Sequence, residues 1–191
     1  MKKLIALCLL ITSFSAQANW ELSNEQSSIN FISIKKSSIG EIHVFKSLSG
    51  SLKDATASVS IDLSSVDTKI PIRNDRIKSM LFKVANFSSA TATTTIDLSE
   101  LENLQDGESF QKNVDLHLNL HGVTNTISSV IQVIKLTNNR VLVNTVHPII
   151  IKAADFDLVD GIEALKNIAQ LPVISTAVPV TFSLLFKKQT I

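Results

Sequence analysis

Between Val114 and His121 the chain alternates without a lapse. Val114, Leu116, Leu118 and Leu120 fall on one side, and Asp115, His117, Asn119 and His121 on the other. Only a strand, whose side chains point to opposite faces with period two, sorts such a run into a dry face and a wet one. The pattern recurs. Val59, Ile61 and Leu63 oppose Ser58, Ser60, Asp62 and Ser64, and Ile29 and Phe31 oppose Ser28 and Asn30. Near the end, Val178, Val180, Phe182, Leu184 and Phe186 oppose Pro179, Thr181 and Ser183, with Leu185 the one exception. Residues 90–98 repeat it more weakly: Ala92, Thr94, Ile96 and Leu98 against Thr91, Thr93, Thr95 and Asp97. Two β-branched runs, 127–136 and 140–151, flank Asn138-Asn139, a pair suited to the left-handed backbone of a hairpin turn.

Strands with one dry face each belong in antiparallel sheet, since parallel strands buried on both faces read as unbroken apolar runs. No helix follows each strand, which argues against a doubly wound fold. Two short helices fit the pattern. Asp75–Val84 sets Ile77, Met80, Leu81 and Val84 at helical spacing with Asp75 near the positive N-terminal end, and Gly161–Leu171 closes at Pro172. The reading is all-β, about eight antiparallel strands with one or two short helices. Such a set of strands manages its edges either by closing into a barrel or by pairing as a sandwich, and periodicity does not choose between these. The choice bears on function. An eight-stranded barrel is just wide enough for one slender ligand, whereas a sandwich fills its interior with side chains.

The start of the chain has a different character. Lys2 and Lys3 precede an apolar stretch from Leu4 to Phe14, and Ala16-Gln17-Ala18 has the small-x-small form of a cleavage site, so residues 1–18 read as a signal peptide and 19–191 as the mature domain. The stretch falls short of the ~20 apolar residues of a spanning helix. Export to a bacterial periplasm is the expectation. Cys8, the only cysteine of the 191 residues, lies in that segment and lacks the small neighbours of a lipoprotein signal. The mature chain therefore carries no disulfide, no thiolate metal site and no cysteine nucleophile. Its 16 basic and 17 acidic side chains nearly balance, which argues against a nucleic-acid or anionic-membrane partner, since either usually demands a strong basic excess.

Chemistry-bearing residues are sparse. His117 and His121 are four apart, but on a strand that separates them by about 13 Å, too far for one metal ion, and both read as polar residues of a wet face. His43 and His147 are isolated. There is no G-x-S-x-G elbow and no glycine-rich phosphate loop. Asp155 with Asp157, and Asp62 with Asp67, read as turn or cap residues rather than acid–base pairs. Trp20 reads as a packing plug, and the chain has no tyrosine with which to build a polar-aromatic recognition surface.

Two blocks are more specific. Ser65-Val66-Asp67-Thr68, then Ile72-Arg73-Asn74-Asp75-Arg76-Ile77-Lys78-Ser79-Met80-Leu81-Phe82, and Phe87 form the first. Leu118-Asn119-Leu120-His121-Gly122-Val123-Thr124-Asn125 form the second. Together they resemble the YceI-like family of secreted lipid- and polyisoprenoid-binding proteins. Trp20, Phe31 and Gly50 fall where that family places its opening Trp, first-strand Phe and a later Gly. Asp155-Phe156 is similar to its D-F-G element, with Asp157 in place of the glycine, and Arg76 stands where many relatives carry His. The likeness runs in order over residues 20–186. It implies an eight-stranded, lipocalin-like barrel that holds a long apolar chain such as a polyisoprenoid or quinone, without a catalytic group or other cofactor. The lining candidates are Phe31, Ile61, Leu63, Met80, Phe82, Leu118, Leu120, Phe156, Phe182 and Leu184, each equally compatible with ordinary core packing. Arg73 and Arg76 are candidates for pairing with a polar headgroup, with a surface salt bridge as the alternative. The same reading has a carrier or sequestering protein that does not span the membrane and is compatible with a homodimer. Its rival is a structural or interaction β-domain with a filled core.

Overall fold

The computed structural model describes residues 19–189; the expected signal peptide lies outside the described residues. Eight staves account for the strands. β1 comprises Trp20–Leu22 and Ser28–Lys35, β2 Ile39–Phe45 and Leu48–Lys53, and β3 Thr56–Asp62 and Val66–Asp67. β4 is Ser89–Thr95, β5 Ser109–Leu120 and β6 Val123–Leu136. β7 comprises Arg140–Thr145 and Ile149–Lys152, and β8 is Ala177–Lys188. Each pairs antiparallel with its successor. β8 then returns to β1 through Leu22↔Phe186 and Phe31↔Val180. The ring is closed, so the sheet is an up-and-down barrel and not a sandwich. β5, with 12 residues, is about 37 Å long and spans roughly 28 Å of barrel height at the usual tilt.

The alternation seen in the sequence sets the register. In the β3–β4 pair Val59 faces Ala92 and Ile61 faces Ala90, and in β4–β5 Ala92 faces Leu118, so the dry faces meet across each seam. Two-residue turns join β2 to β3 at Asp54-Ala55 and β5 to β6 at His121-Gly122, all four residues having positive φ, as tight hairpins require. Asn138 and Asn139 take the left-handed conformation expected of them.

Helices close the two ends. At the lower end α2, Leu98–Glu102, inserts the buried Leu101 beneath the barrel. The sequence reading carried a strand through Leu98. The chain instead leaves β4 at Thr95, because Asp97 caps α2 by accepting from the Ser99 amide at 2.9 Å. At the upper end α1, Pro71–Arg76, runs on as a wide π-type turn over Ile77–Leu81, with the Phe82 amide donating to the Ile77 carbonyl at 3.0 Å. This helix starts four residues before the expected Asp75, since proline is well placed at the first helical position. α3, Val159–Ile168, packs on that turn. It begins and ends earlier than the expected Gly161–Leu171; left-handed Gln170 stops it short of Pro172.

A hollow barrel interior as the candidate functional site

Two voids lie end to end inside the barrel. The lower one, with about 120 Å³ open to the centres of water-sized molecules, is bounded by Trp20, Leu52, Ile96, Leu101 and Phe186 near α2. The upper one, about 170 Å³ on the same basis, reaches to Phe82, Leu158 and Ile162 under the cap. Ile29, Ile61, Ala92, Leu116 and Phe182 line both, so they form the waist at which the two apolar voids adjoin. All lining residues of the upper void are apolar, and Thr93 and Thr94 are the polar ones of the lower. The hollow has a local cause. β3 and β4 present Ala57, Ala90 and Ala92 to the interior, short side chains that do not reach across to the opposite wall.

Of the ten lining candidates, Phe31, Leu63, Phe82, Leu118 and Leu120 border the upper void, Leu184 the lower, and Ile61 and Phe182 both. Met80 and Phe156 border neither. Met80 is half-buried, and its carbonyl faces Gly161 of α3. Phe156, 1% exposed, is packed behind the wall with Ala153, Leu158 and Ile162. Residues that sequence reasoning passed over include Ile29, Ile131, Val133, Val141 and Phe186. Ile29 and Phe186 had been placed on dry faces, whereas the uniform β-branched run of β6 conceals which of its residues point inward.

Of the two headgroup candidates, Arg73 is otherwise engaged. Arg73 donates to Glu41 Oε2 at 2.8 Å and to the Thr68 carbonyl at 2.7 Å, tying α1 to β2. Among the described residues Arg76 is half-buried and forms no ion pair. His43, 2% exposed, stands beside Phe31 at 5.1 Å between ring centroids and bonds through Nε2 to Ser33 Oγ at 2.8 Å. Burial lowers its pKa from the ordinary histidine value, and the nearby Arg73 charge acts the same way. His43 Nδ1 and Arg73 Nε are buried without a protein partner.

His117, exposed, bonds Thr126 Oγ1 at 2.9 Å as a wet-face residue should. His121 does not sit on that face. At the hairpin turn its φ is 54° and its ring is buried 4.4 Å from that of Phe87, because the turn rotates it out of the strand's alternation. Among the described residues no group of His, Cys, Asp or Glu is placed to hold a metal ion. Asp62 accepts from the Ser64 amide at 2.8 Å and Asp67 from the Lys69 amide at 2.8 Å, both as turn residues.

The motif residues converge at the capped end. The Phe87 ring covers Gly122, where a Cβ would lie 2.7 Å from it. The Asn125 side-chain amide donates to the Asp155 carbonyl, joining the β5–β6 hairpin to the turn that carries Phe156. Asp157, where the resemblance places a glycine, adopts the left-handed conformation (φ 54°) that glycine takes most readily. The blocks that carry the resemblance thus build the cap, and their Leu81, Phe82, Leu118 and Leu120 also border the upper void.

Comparison with known proteins agrees with this architecture. A YceI-like domain profile matches residues 20–186. Among curated proteins none matches the chain. A polyisoprenoid-binding domain from Saccharophagus degradans, implicated in plant cell wall breakdown, shares 42% identity over 89% of this chain and 98% of its own, with a TM-score of 0.87. Burkholderia cenocepacia BcnA superposes with a TM-score of 0.64 at 15% identity, covering 86% of this chain and 98% of its own. A Campylobacter jejuni YCEI protein does so with 0.56 at 14% identity, covering 78% and 85%. The last two share the fold.

Proposed function

The chain belongs to the YceI-like family, and from that premise we propose that it is an exported, non-enzymatic carrier or sequestering protein for a long-chain apolar ligand of the polyisoprenoid or quinone class. The observation that carries the reading is the pair of adjoining voids, apolar from Trp20 to Ile162 and sheathed by a closed sheet. Their walls offer non-directional attraction along a length that suits an extended chain. Burial returns about 0.8 kcal/mol per methylene, so ten give roughly 8 kcal/mol gross. Association costs on the order of 4–15 kcal/mol, so short chains bind poorly and long ones well. Selectivity then follows ligand length, branching and the waist at Ile61 and Phe182. The 42%-identical relative is itself described as polyisoprenoid-binding, which supports the same ligand class here. The signal-like residues 1–18 support export to the periplasm.

Native mass spectrometry of gently purified protein tests this. An apolar adduct extractable into organic solvent is expected. A bare polypeptide that also fails to take up long isoprenoids would overturn the reading.

A further inference from the structure

Six of the large apolar residues that are most exposed among the described residues lie at the capped end: Ile39, Ile42, Ile70, Ile72, Ile168 and Val173. Ile42 and Ile72 are 68% and 57% exposed. Four of them belong to two neighbouring elements, the tip of the β1–β2 hairpin and the start of α1. Glu41 Oε2 fastens these elements together, accepting from Lys35 Nζ and Arg73 Nη1 at 2.8 Å each. The two segments, 35–46 and 67–83, hold eight basic side chains against three acidic ones, net +5. The rest of the chain from residue 19 holds eight against fourteen, net −6. A molecule close to neutral overall is therefore strongly polarised, and its positive pole coincides with its exposed isoleucines. Lys46 and Lys78 are paired with Asp67 and Asp75. Among the described residues Lys36, Lys69, Arg76 and Lys83 have no ion-pair partner, and the three lysines are exposed.

We propose that this face, the β1–β2 hairpin tip with α1, docks on an anionic phospholipid bilayer. Isoleucines ringed by cations match a surface that is negatively charged at the headgroups and apolar just beneath. A second copy of the chain fits less well. A two-fold contact would set one +5 face against another, where like charges repel. The neighbouring α3 side of the cap is unsuited to the bilayer, since segment 153–168 carries Asp155, Asp157, Asp160 and Glu163 against Lys166. The inference goes beyond the carrier reading and does not need it. A barrel with no ligand would still dock, and a filled barrel that ignores bilayers would leave the carrier reading standing.

Co-sedimentation with vesicles tests the proposal. The purified protein should pellet with phosphatidylethanolamine–phosphatidylglycerol vesicles at least about tenfold more strongly than with phosphatidylcholine vesicles, and salt should weaken the binding. Lys36→Glu with Lys69→Glu, and separately Ile42→Ser with Ile72→Ser, should each lower anionic-vesicle binding by about tenfold or more. Melting temperatures should stay near wild type, because these side chains are exposed or lightly packed. Ile168→Ser, on the acidic side, should bind as wild type. Equal pelleting with both vesicle types, no pelleting with either, or variants that pellet like wild type would overturn the proposal. So would a concentration-dependent dimer abolished by the Ile42→Ser, Ile72→Ser pair, which would assign the face to self-association.

Discussion

Gly161 of α3 and Leu81 of the π-type turn meet backbone to backbone: a Cβ on Gly161 would stand 2.9 Å from the Leu81 Cα. The Met80 carbonyl oxygen would be equally close. Backbone atoms do not yield as a flexible side chain would. The cap over the upper void is therefore assembled around a position without a side chain. Gly161→Ala should lower stability by about 1–3 kcal/mol through overpacking, despite alanine's helix preference of ~1 kcal/mol over glycine. Urea unfolding with an unchanged m-value is the measurement. Stability at or above wild type would show that α3 shifts freely on the turn.

Leu118 borders the upper void beside small Ala90 and Ala92. In a hollow barrel Leu118→Trp places its extra atoms in empty space, so it should expel the bound chain at little cost to the unliganded fold. In a filled core the same change overpacks by about 1–3 kcal/mol. Native mass spectra and melting curves of delipidated protein separate the two. A variant that keeps its adduct would show that ligand does not occupy this part of the channel.

Trp20, 2% exposed, closes the lower end with Lys135 and Lys188 over its ring at 5.5 and 5.9 Å. Trp20→Ala should cost about 3–5 kcal/mol, the usual loss for a buried large aromatic. As the only tryptophan in the chain, and a wall of the lower void, Trp20 should also change its fluorescence when a brominated long-chain ligand enters. Unchanged emission at saturating ligand would confine binding to the upper void.

Acid should loosen the join between the cap and β2. The Lys46 ammonium and the Lys69 amide hold the Asp67 carboxyl at a pKa of about 2, and Lys35 with Arg73 lowers that of Glu41. Both folded values lie below the ordinary ones of 3.8 and 4.5. The stability they confer is thus present above about pH 4.5 and is lost as pH falls toward 2. Asp67→Asn with Glu41→Gln should flatten the fall in melting temperature across that window. An equally steep fall in the double variant would assign acid sensitivity to other carboxylates.

His43 adds a milder dependence at higher pH. Burial lowers its folded pKa from 6.5, so protonation is resisted in the native state. The stability present above 6.5 is lost progressively as pH falls toward the lowered value. His43→Gln, which can keep a hydrogen bond to Ser33, should remove the part of the pH 7 to pH 5 decline in melting temperature that belongs to this ring. Retention of the whole decline would place the titrating group elsewhere.

The strands were legible because their signal is local. Leu116, Leu118 and Leu120 announce their face by alternation alone, and Asn138-Asn139 announces a turn by its backbone preference. Local signals also existed where the reading missed. Asp97 followed three residues on by Glu100 is a capping pattern that marks α2, and Pro71 marks the start of α1. His121 was misplaced because its exclusion from the wet face depends on Phe87, 34 positions earlier, folding across the turn. Met80 and Phe156 were misplaced because family motifs mark where the cap is held together, and being buried is not the same as lining a channel.

The sequence by itself determined an all-β chain of about eight antiparallel strands, each with one dry face, since side-chain period and turn preference act between neighbours a few residues apart. Only the tertiary structure decided that β8 returns to β1 and that the space within stays open. Closure rests on pairings between residues more than a hundred positions apart, such as Phe31 with Val180. The hollow rests on Ala90 and Ala92 facing walls they are too short to reach, a relation among distant strands that no local stretch of sequence contains.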